Sequence, residues 1–385
     1  MSATGTTVLH SARLVSGGEI HDDAWLVLDG DVVAARGNGD DWQRHAPGEV
    51  VDVAGRVLTP GFIDLHCHGG GGASVDDDGA ASIARVVDTH TAHGTTRSVL
   101  SLVSARIDVL ARRLAAIAEA KARDPRVLGA HLEGPFLHPD FRGAHDLRVL
   151  RDPDPETVRR LRDAAGDALV QITIAPDRPH ALEAIEAFVA DGVVVAVGHT
   201  GADHALADAA FERGASLLTH AFNAMRGIHH RAPGPVLAAV GAPGVILEVI
   251  LDGSHLDPRV ARMLFDLAPG RIALVTDAMA AAGAADGDYV LGDLDVTVSE
   301  GVARLTGTET IAGSTLTQDV ALRRAVGQVG LELPTAVAAL TETPAAVLGR
   351  QDRLGRLDPG YAADVVLLGP TLEVEAVWSA GRRYR

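Results

Sequence analysis

The sequence predicts an α/β protein, a (β/α)8 TIM barrel with a small β-sandwich domain built from both chain ends. Three observations predict it. From about residue 60 to 280, short β-branched or apolar runs alternate with longer Ala-rich stretches of helical character, the rhythm of βα units around a parallel sheet. Eight such runs can be counted, as many strands as the barrel requires. Both ends of the chain instead alternate apolar and polar residues with period two, as half-buried strands do.

At the N-terminal end the alternating segments are Thr7–Leu14, Asp23–Leu28, Asp31–Ala35 and Glu49–Val53, and at the far end Ala363–Leu368 and Val374–Val377. The barrel strands are expected at Phe62–His66, Thr95–Leu100, Val127–Leu132, Leu169–Ile174, Val193–Gly198, Ser216–Thr219, Val245–Leu251 and Arg271–Thr276. Helical character falls between them at Ile83–His90, Ile107–Arg123, Pro155–Ala165, Pro179–Asp191, Ala202–Arg213 and Pro258–Asp266, with Pro at or near the first turn of several. Tyr289–Leu305 alternates again, and Gly292-Asp293 suggests a hairpin inserted after the eighth strand. The expected domains are residues 1–58 with 358–385 for the sandwich, and 59–357 for the barrel with a β-rich insertion near 286–310.

The 385 residues are 47% hydrophobic and 22% charged, the composition of a globular chain with a sizeable core. Aromatic residues make up only 3%, so that core must rest on Ala, Val, Leu and Ile. A net charge of −17 argues against nucleic-acid and anionic-membrane partners, and an anionic ligand would need a local cation. The single Cys67 excludes an intrachain disulfide framework. Neither a secretory signal nor a long apolar span is visible, so a cytoplasmic location is expected.

Chemistry enters with the run Pro60-Gly-Phe-Ile-Asp-Leu-His66-Cys67-His68. Period-two alternation at the end of the first strand turns both imidazoles to one face, where they could converge on a divalent metal. Alone, such a pair more often marks an exposed or core location than a metal site. Position changes the balance: Glu133 ends the third expected strand, His199 the fifth, His220 the sixth and Asp277 the eighth, while His255 follows the seventh. In a barrel those carboxyl ends share one mouth, so residues distant in sequence become neighbours. Asp277 is the expected general base, able to take a proton from water and return it to a departing amine. Cys67 faces the other way and is read as packing. Gly69–Gly72 lacks the Lys-Ser/Thr of a nucleotide loop and is read as a close backbone passage near the site. His90, His93, His138, His180 and His204 are read as ordinary surface or helix residues.

His131-Leu-Glu133-Gly-Pro-Phe-Leu, Gly198-His199-Thr200, His220-Ala-Phe-Asn223-Ala224-Met225, Asp252-Gly-Ser-His255 and Thr276-Asp277-Ala-Met together resemble the motifs of the N-acetylglucosamine-6-phosphate deacetylases, a family of metal-dependent amidohydrolases. Ile311-Ala-Gly-Ser-Thr-Leu-Thr317 and Gly355-Arg-Leu-Asp-Pro-Gly-Tyr-Ala-Ala-Asp364 fit the same family, the latter less specifically. The resemblance implies that Glu133, His199 and His220 are the primary metal ligands. It also implies sugar-phosphate binding by Ala144, His145, Asn223, Ala224, Arg231, His255, Ile311, Ala312 and Gly313. Arg231 is the expected phosphate anchor, reaching the neighbouring pocket of a homodimer. The fourth expected strand contains no Lys to bridge two metals, leaving that role to Glu133; with His66 and His68 present, a second ion is chemically feasible. One or two divalent ions per chain are therefore expected, Zn first, with Fe, Mn or Co suiting the same donors. Arg142 and Asp177 depart from the family's usual Lys and Glu and could adjust substrate choice.

The expected reaction is hydrolytic deacetylation of N-acetylglucosamine 6-phosphate in amino-sugar metabolism. Its 4-epimer, N-acetylgalactosamine 6-phosphate, is the nearest rival substrate. Cyclic-imide or nucleobase hydrolysis leaves Arg231 and Phe222-Asn-Ala-Met without a purpose, and a non-catalytic scaffold would have no need of the retained acids and imidazoles.

Overall fold

A computed structural model of the protein describes residues 5–45, 48–77 and 79–385. Contacts divide the chain into two compact units, one of Met1–Asp64, His90–Arg97 and Gln318–Arg385, the other of Leu65–Thr89 and Ser98–Thr317. The site described below lies wholly within the second.

The barrel strands are Phe62–Cys67, Thr95–Val103, Val127–Glu133, Leu169–Ile174, Val194–Val197, Leu217–Leu218, Ile246–Ile250 and Ile272–Val275. They are hydrogen-bonded to one another in chain order. A parallel bridge between Cys67 and Ala278, with Asp277 N–H donating to His66 O at 2.8 Å, nearly closes the ring. All seven residues of Val127–Glu133 are buried, because one face looks into the barrel and the other is covered by helices. That double burial is why these strands read as continuous apolar runs rather than as alternation.

Helices Ile107–Arg123 and Pro155–Ala165 fall where the sequence predicts them. In the first, Ile107, Leu110, Leu114 and Ile117 are buried on one face at helical spacing. The second starts at Asp154, whose side chain accepts from Glu156 N–H and Thr157 N–H ahead of a first-turn Pro, a cap whose loss typically costs about 1 kcal/mol. Asp203 and Asp257 cap His204–Glu212 and Pro258–Leu267 in the same way. Helix Gly234–Gly241 was not expected from the sequence: five of its eight residues are buried, so it carries no polar face to mark a period.

After the eighth strand, Gly287–Leu291, Leu294–Ser299 and Val302–Leu305 form the expected β insertion as three antiparallel strands. Leu291, Val296, Val298 and Ala303 pack against Val103, Met279 and Ala312. This holds the Ile311–Gly313 segment at the mouth, where Ala312 N–H donates to Ala303 O at 3.1 Å.

In the first unit, the two chain ends share one mostly antiparallel eight-stranded sheet. Leu9, Leu14, Leu26, Leu28, Leu58, Val365, Leu367 and Trp378 form its core. Strands Val57–Pro60 and Arg382–Arg383 were not anticipated, being four and two residues long. Helices Gln318–Gly327, Leu333–Leu340 and Glu342–Val347 were also unforeseen. The terminal motif has a structural use here: Asp364 accepts from Arg97 at 2.6 and 3.0 Å and from Ala380 N–H at 2.7 Å. Among the described residues no helix is long and apolar enough to cross a membrane.

Candidate active site

Register brings the strand ends to one level. Glu133, last in its strand, pairs with Val103 on one side and Thr173 on the other. His66 lies within the first strand and His68 one residue beyond it. The sequence put His199, His220 and Asp277 at the ends of strands five, six and eight. The structure places each two residues later, past Val197, Leu218 and Val275. All three have left-handed backbones, with φ of 48°, 25° and 48°. Such φ values cost L-residues of this kind about 1 kcal/mol or more and gather at functional sites. Here the turn swings each side chain inward over the mouth. A Cβ on Gly198 would come within 2.7 Å of Thr219 and 2.8 Å of Thr173, so Gly lets the segment leading to His199 pass between those strands.

Five imidazoles meet one carboxylate. Glu133 Oε1 is 3.0 Å from both His199 Nε2 and His220 Nε2, which are themselves 3.0 Å apart. Three atoms so spaced lie on a circle of roughly 1.7 Å radius, so a point about 1.2 Å off their plane stands about 2.1 Å from each, an ordinary Zn–N or Zn–O distance. On the other side, His66 Nε2 and His68 Nε2 are 3.0 Å apart. They lie 3.4 Å from Glu133 Oε1 and 3.2 Å from Glu133 Oε2, respectively, and each is 3.5 Å from Asp277 Oδ1. Glu133 therefore stands between two groups of donors, His66 with His68 and His199 with His220, each spaced closely enough to hold an ion.

Ring tautomers agree with that use. A carboxylate or carbonyl oxygen can only accept, so His199 Nδ1–H donates to Phe141 O at 2.9 Å and His66 Nδ1–H to Glu248 Oε2 at 3.2 Å. Both leave the Nε2 lone pair facing the site, the form a metal takes. His145 is the reverse: Ser104 N–H donates to its Nδ1 at 3.2 Å, so Nε2 carries the proton and points at Glu133 Oε2, 3.1 Å away. Among the donors around Glu133, His145 is thus arranged to donate rather than to ligate.

Burial alone would raise the Glu133 carboxyl and lower the His66 imidazole. The charges of His66, His199 and His145 overcome burial and hold Glu133 well below its usual range, and Glu133 and Asp277 hold His66 well above its own. A buried imidazole that resists losing its proton reports strongly negative surroundings, which equally favour a divalent cation, and such an ion would displace the Nε2 proton to leave the lone pair described above. The residues present fit a metal.

The cavity over these atoms measures about 570 Å³ and is lined by His68, Glu133, His199, His220 and Asp277, and also by Ala144, His145, Asn223, Ala224, His255, Ile311 and Gly313. His66 and Ala312 lie behind that lining, both fully buried. Arg231 does not line its own chain's cavity; it is exposed and bonds His230 at 2.8 Å. Among the described lining residues Arg142 alone has a permanent positive charge, and its Nη1 donates to Pro139 O at 2.9 Å. His255 donates from Nδ1 to Asp252 at 2.7 Å, which outweighs burial and raises its pKa. Asp177 accepts from Thr200 Oγ1 at 2.6 Å and Gly201 N–H at 2.9 Å, holding the turn after His199. Gly69 is a close passage as expected, since a Cβ there would lie 2.7 Å from Ala280 N.

Beneath the site lies a polar layer that the sequence did not reveal. His131 accepts from or donates to Ser101 Oγ and Thr173 Oγ1, each at 2.9 Å, and fully buried Glu248 contacts His66, with fully buried Gln171 bonded to Glu248. Polar residues at alternate positions of strands three, four and seven were the available signal: His131, Gln171 with Thr173, and Glu248, set among apolar neighbours.

Residues 57–384 match the amidohydrolase family. The chain belongs to the amidohydrolase family. It is similar to N-acetylglucosamine-6-phosphate deacetylase of Mus musculus, 34% identical over 98% of this chain and 96% of that protein. It is also similar to N-acetylgalactosamine-6-phosphate deacetylase of Escherichia coli O157:H7, 34% identical over 98% and 99%. Among solved structures, a mutant N-acetyl-D-glucosamine-6-phosphate deacetylase of Mycobacterium smegmatis, in complex with N-acetyl-D-glucosamine-6-phosphate, matches this amidohydrolase with a TM-score of 0.93 at 39% identity, covering 98% of this chain and 99% of that one.

Proposed function

We propose that this amidohydrolase hydrolyses the acetamide of N-acetyl-D-glucosamine 6-phosphate to D-glucosamine 6-phosphate and acetate. The observation that carries the reading is the convergence of Glu133, His199 and His220 at 3.0 Å with Asp277 across the same mouth, in a chain whose near-full-length relatives are deacetylases of two epimeric hexosamine phosphates. Glu133, His199 and His220 would hold one divalent ion, Zn for preference, and His66 and His68 with Glu133 a second. A divalent ion held there polarises a carbonyl and makes water acidic enough to attack near neutral pH.

The remaining work falls to side chains. Asp277 takes a proton from the attacking water as the C–O bond forms. It returns that proton to nitrogen as the C–N bond breaks, so the sugar departs as a neutral amine. His145 Nε2–H donates to the acetyl oxygen, its tautomer set by Ser104 N–H. His255, held by Asp252, binds a sugar hydroxyl, while Asn223, Ala224, Ala144 and the Ile311-Ala312-Gly313 segment bracket the substrate. Arg231, turned away from its own cavity, supplies a guanidinium to the 6-phosphate in the partner's pocket of a homodimer. The enzyme works in the cytoplasm, in amino-sugar metabolism.

The second reading, the galactosamine epimer, is favoured by one relative of equal identity. Assaying purified protein on both 6-phosphates, with metal content measured in parallel, separates the two. The first reading requires the larger kcat/KM on the gluco epimer, and protein that neither holds metal nor releases acetate from either sugar would end both.

A further inference from the structure

We propose that Glu248 is a positioning residue that sets the orientation of His66 and ties the first barrel strand to the turn bearing His220, so that it governs metal uptake at the His66–His68 side of the site. The proposal rests on reading His66 and His68 as ligands. Glu248 sits on strand Ile246–Ile250 with no exposed surface. Its carboxylate takes three donors: Gln171 Nε2 at 3.0 Å on Oε1, and both His66 Nδ1–H at 3.2 Å and His220 N–H at 3.3 Å on Oε2. A single oxygen thus receives the ring of one proposed ligand and the main chain of another, from opposite sides of Glu133.

Two features make this more than interior packing. Donation from Nδ1 to a carboxylate fixes the His66 tautomer with the Nε2 lone pair facing His68, 3.0 Å away, and a carboxylate partner also makes an imidazole a better donor to metal. Gln171, likewise fully buried, grips the second carboxylate oxygen, so the group cannot rotate away from the ring. The corresponding anchor of His199 is a backbone carbonyl, Phe141 O, which no side-chain substitution removes. On the other side Glu248 holds only the main-chain N–H of His220 and no ligand ring, so its loss falls chiefly on the His66 side.

The test is titration of chelator-stripped protein with Zn2+ against a chromophoric competitor, reading stoichiometry and the affinity of each site. Wild type should take two ions per chain. Glu248→Gln keeps the volume but replaces one acceptor oxygen with a donor, which must then face either Gln171 or the His66–His220 pair. One site should weaken by about 10- to 100-fold, while the other changes by less than about twofold. His66→Ala should remove the same site, and adding Glu248→Gln to it should cost nothing further, since the two act through one ring. Should Glu248→Gln fold poorly, Gln171→Met frees the second oxygen without touching Glu248 and should weaken the same site to a smaller degree. Two unaltered sites in the Glu248 variant, equal weakening of both, or an additive loss in the double variant overturns the positioning role alone. A wild type that takes a single ion overturns the two-ion reading and this proposal with it.

Discussion

In the floor of the mouth Glu133, His66, His68, His199 and His220 are buried and held at 2.9–3.4 Å to one another or to the barrel, whereas Arg142 at the rim, and Arg231 outside its own chain's cavity, are exposed and bond only local partners. The floor is built at strand ends and the turns just past them, at positions set by sheet hydrogen bonds. The rim is built by loops, which carry function on a fixed scaffold and vary more freely. Groups held within a fraction of an ångström sit on the former, and exposed guanidinium groups on the latter. Breaking the floor should therefore abolish turnover, while breaking the rim should weaken binding.

The largest effect is expected at Asp277, whose carboxylate reaches the floor from the turn after the last strand. Asp277→Asn should lower kcat by a factor on the order of 10² or more, with metal content kept and KM little altered. Steady-state kinetics beside metal analysis checks this, and near-normal turnover would remove Asp277 from the mechanism.

Next comes the rim. Arg231→Ala should cut kcat/KM on the 6-phosphate by about 10- to 150-fold, the worth of a charge-assisted pair, and leave activity on the plain N-acetyl sugar nearly unchanged. Mixing Arg231→Ala chains with Asp277→Asn chains should restore part of the activity, because hybrid dimers contain one pocket with both residues intact. Equal losses on both sugars would make Arg231 a structural residue, and failure of verified hybrids to recover would put it in its own pocket.

His66→Ala sharpens the division within the floor. Metal bound per chain should fall from two to one with the protein still folded, measured by metal analysis and thermal melting; loss of all metal would show that the two donor groups do not act separately.

The smallest effect concerns Asp76, whose carboxyl burial pushes up to about 6 against the pull of Arg113 at 2.9 Å. The folded-state pKa lies above the unfolded one, so the folded form binds the extra proton. Stability from this group is then present below the unfolded pKa near 4 and is lost as pH rises through about 6. Asp76→Asn should therefore improve relative to wild type by a few degrees in Tm between about pH 4 and pH 7. A Tm difference independent of pH would refute the assignment.

Much of the floor was legible because barrel topology turns spacing into proximity: once eight strands are counted, Glu133, His199, His220 and Asp277 must share a mouth. The His-x-His pair was legible from alternation alone, and its two Nε2 atoms do converge at 3.0 Å. Short elements such as Leu217–Leu218 and Gly234–Gly241 were shifted or missed, since two residues, or a helix buried nearly all round, carry no period.

The sequence by itself determined the barrel's strand order and the identity of the acids and imidazoles at its mouth, because both follow from local pattern along a chain that visits each strand once. Tertiary structure alone decided the rest. It set the left-handed turns that swing His199, His220 and Asp277 inward and the hydrogen-bond partners that select the ring tautomers of His66, His145 and His199. It also revealed the burial of Glu248 between Gln171 and His66. Those depend on which atoms meet across 40 to more than 180 intervening residues, and a hydrogen bond is satisfied by geometry in space rather than by distance along the chain.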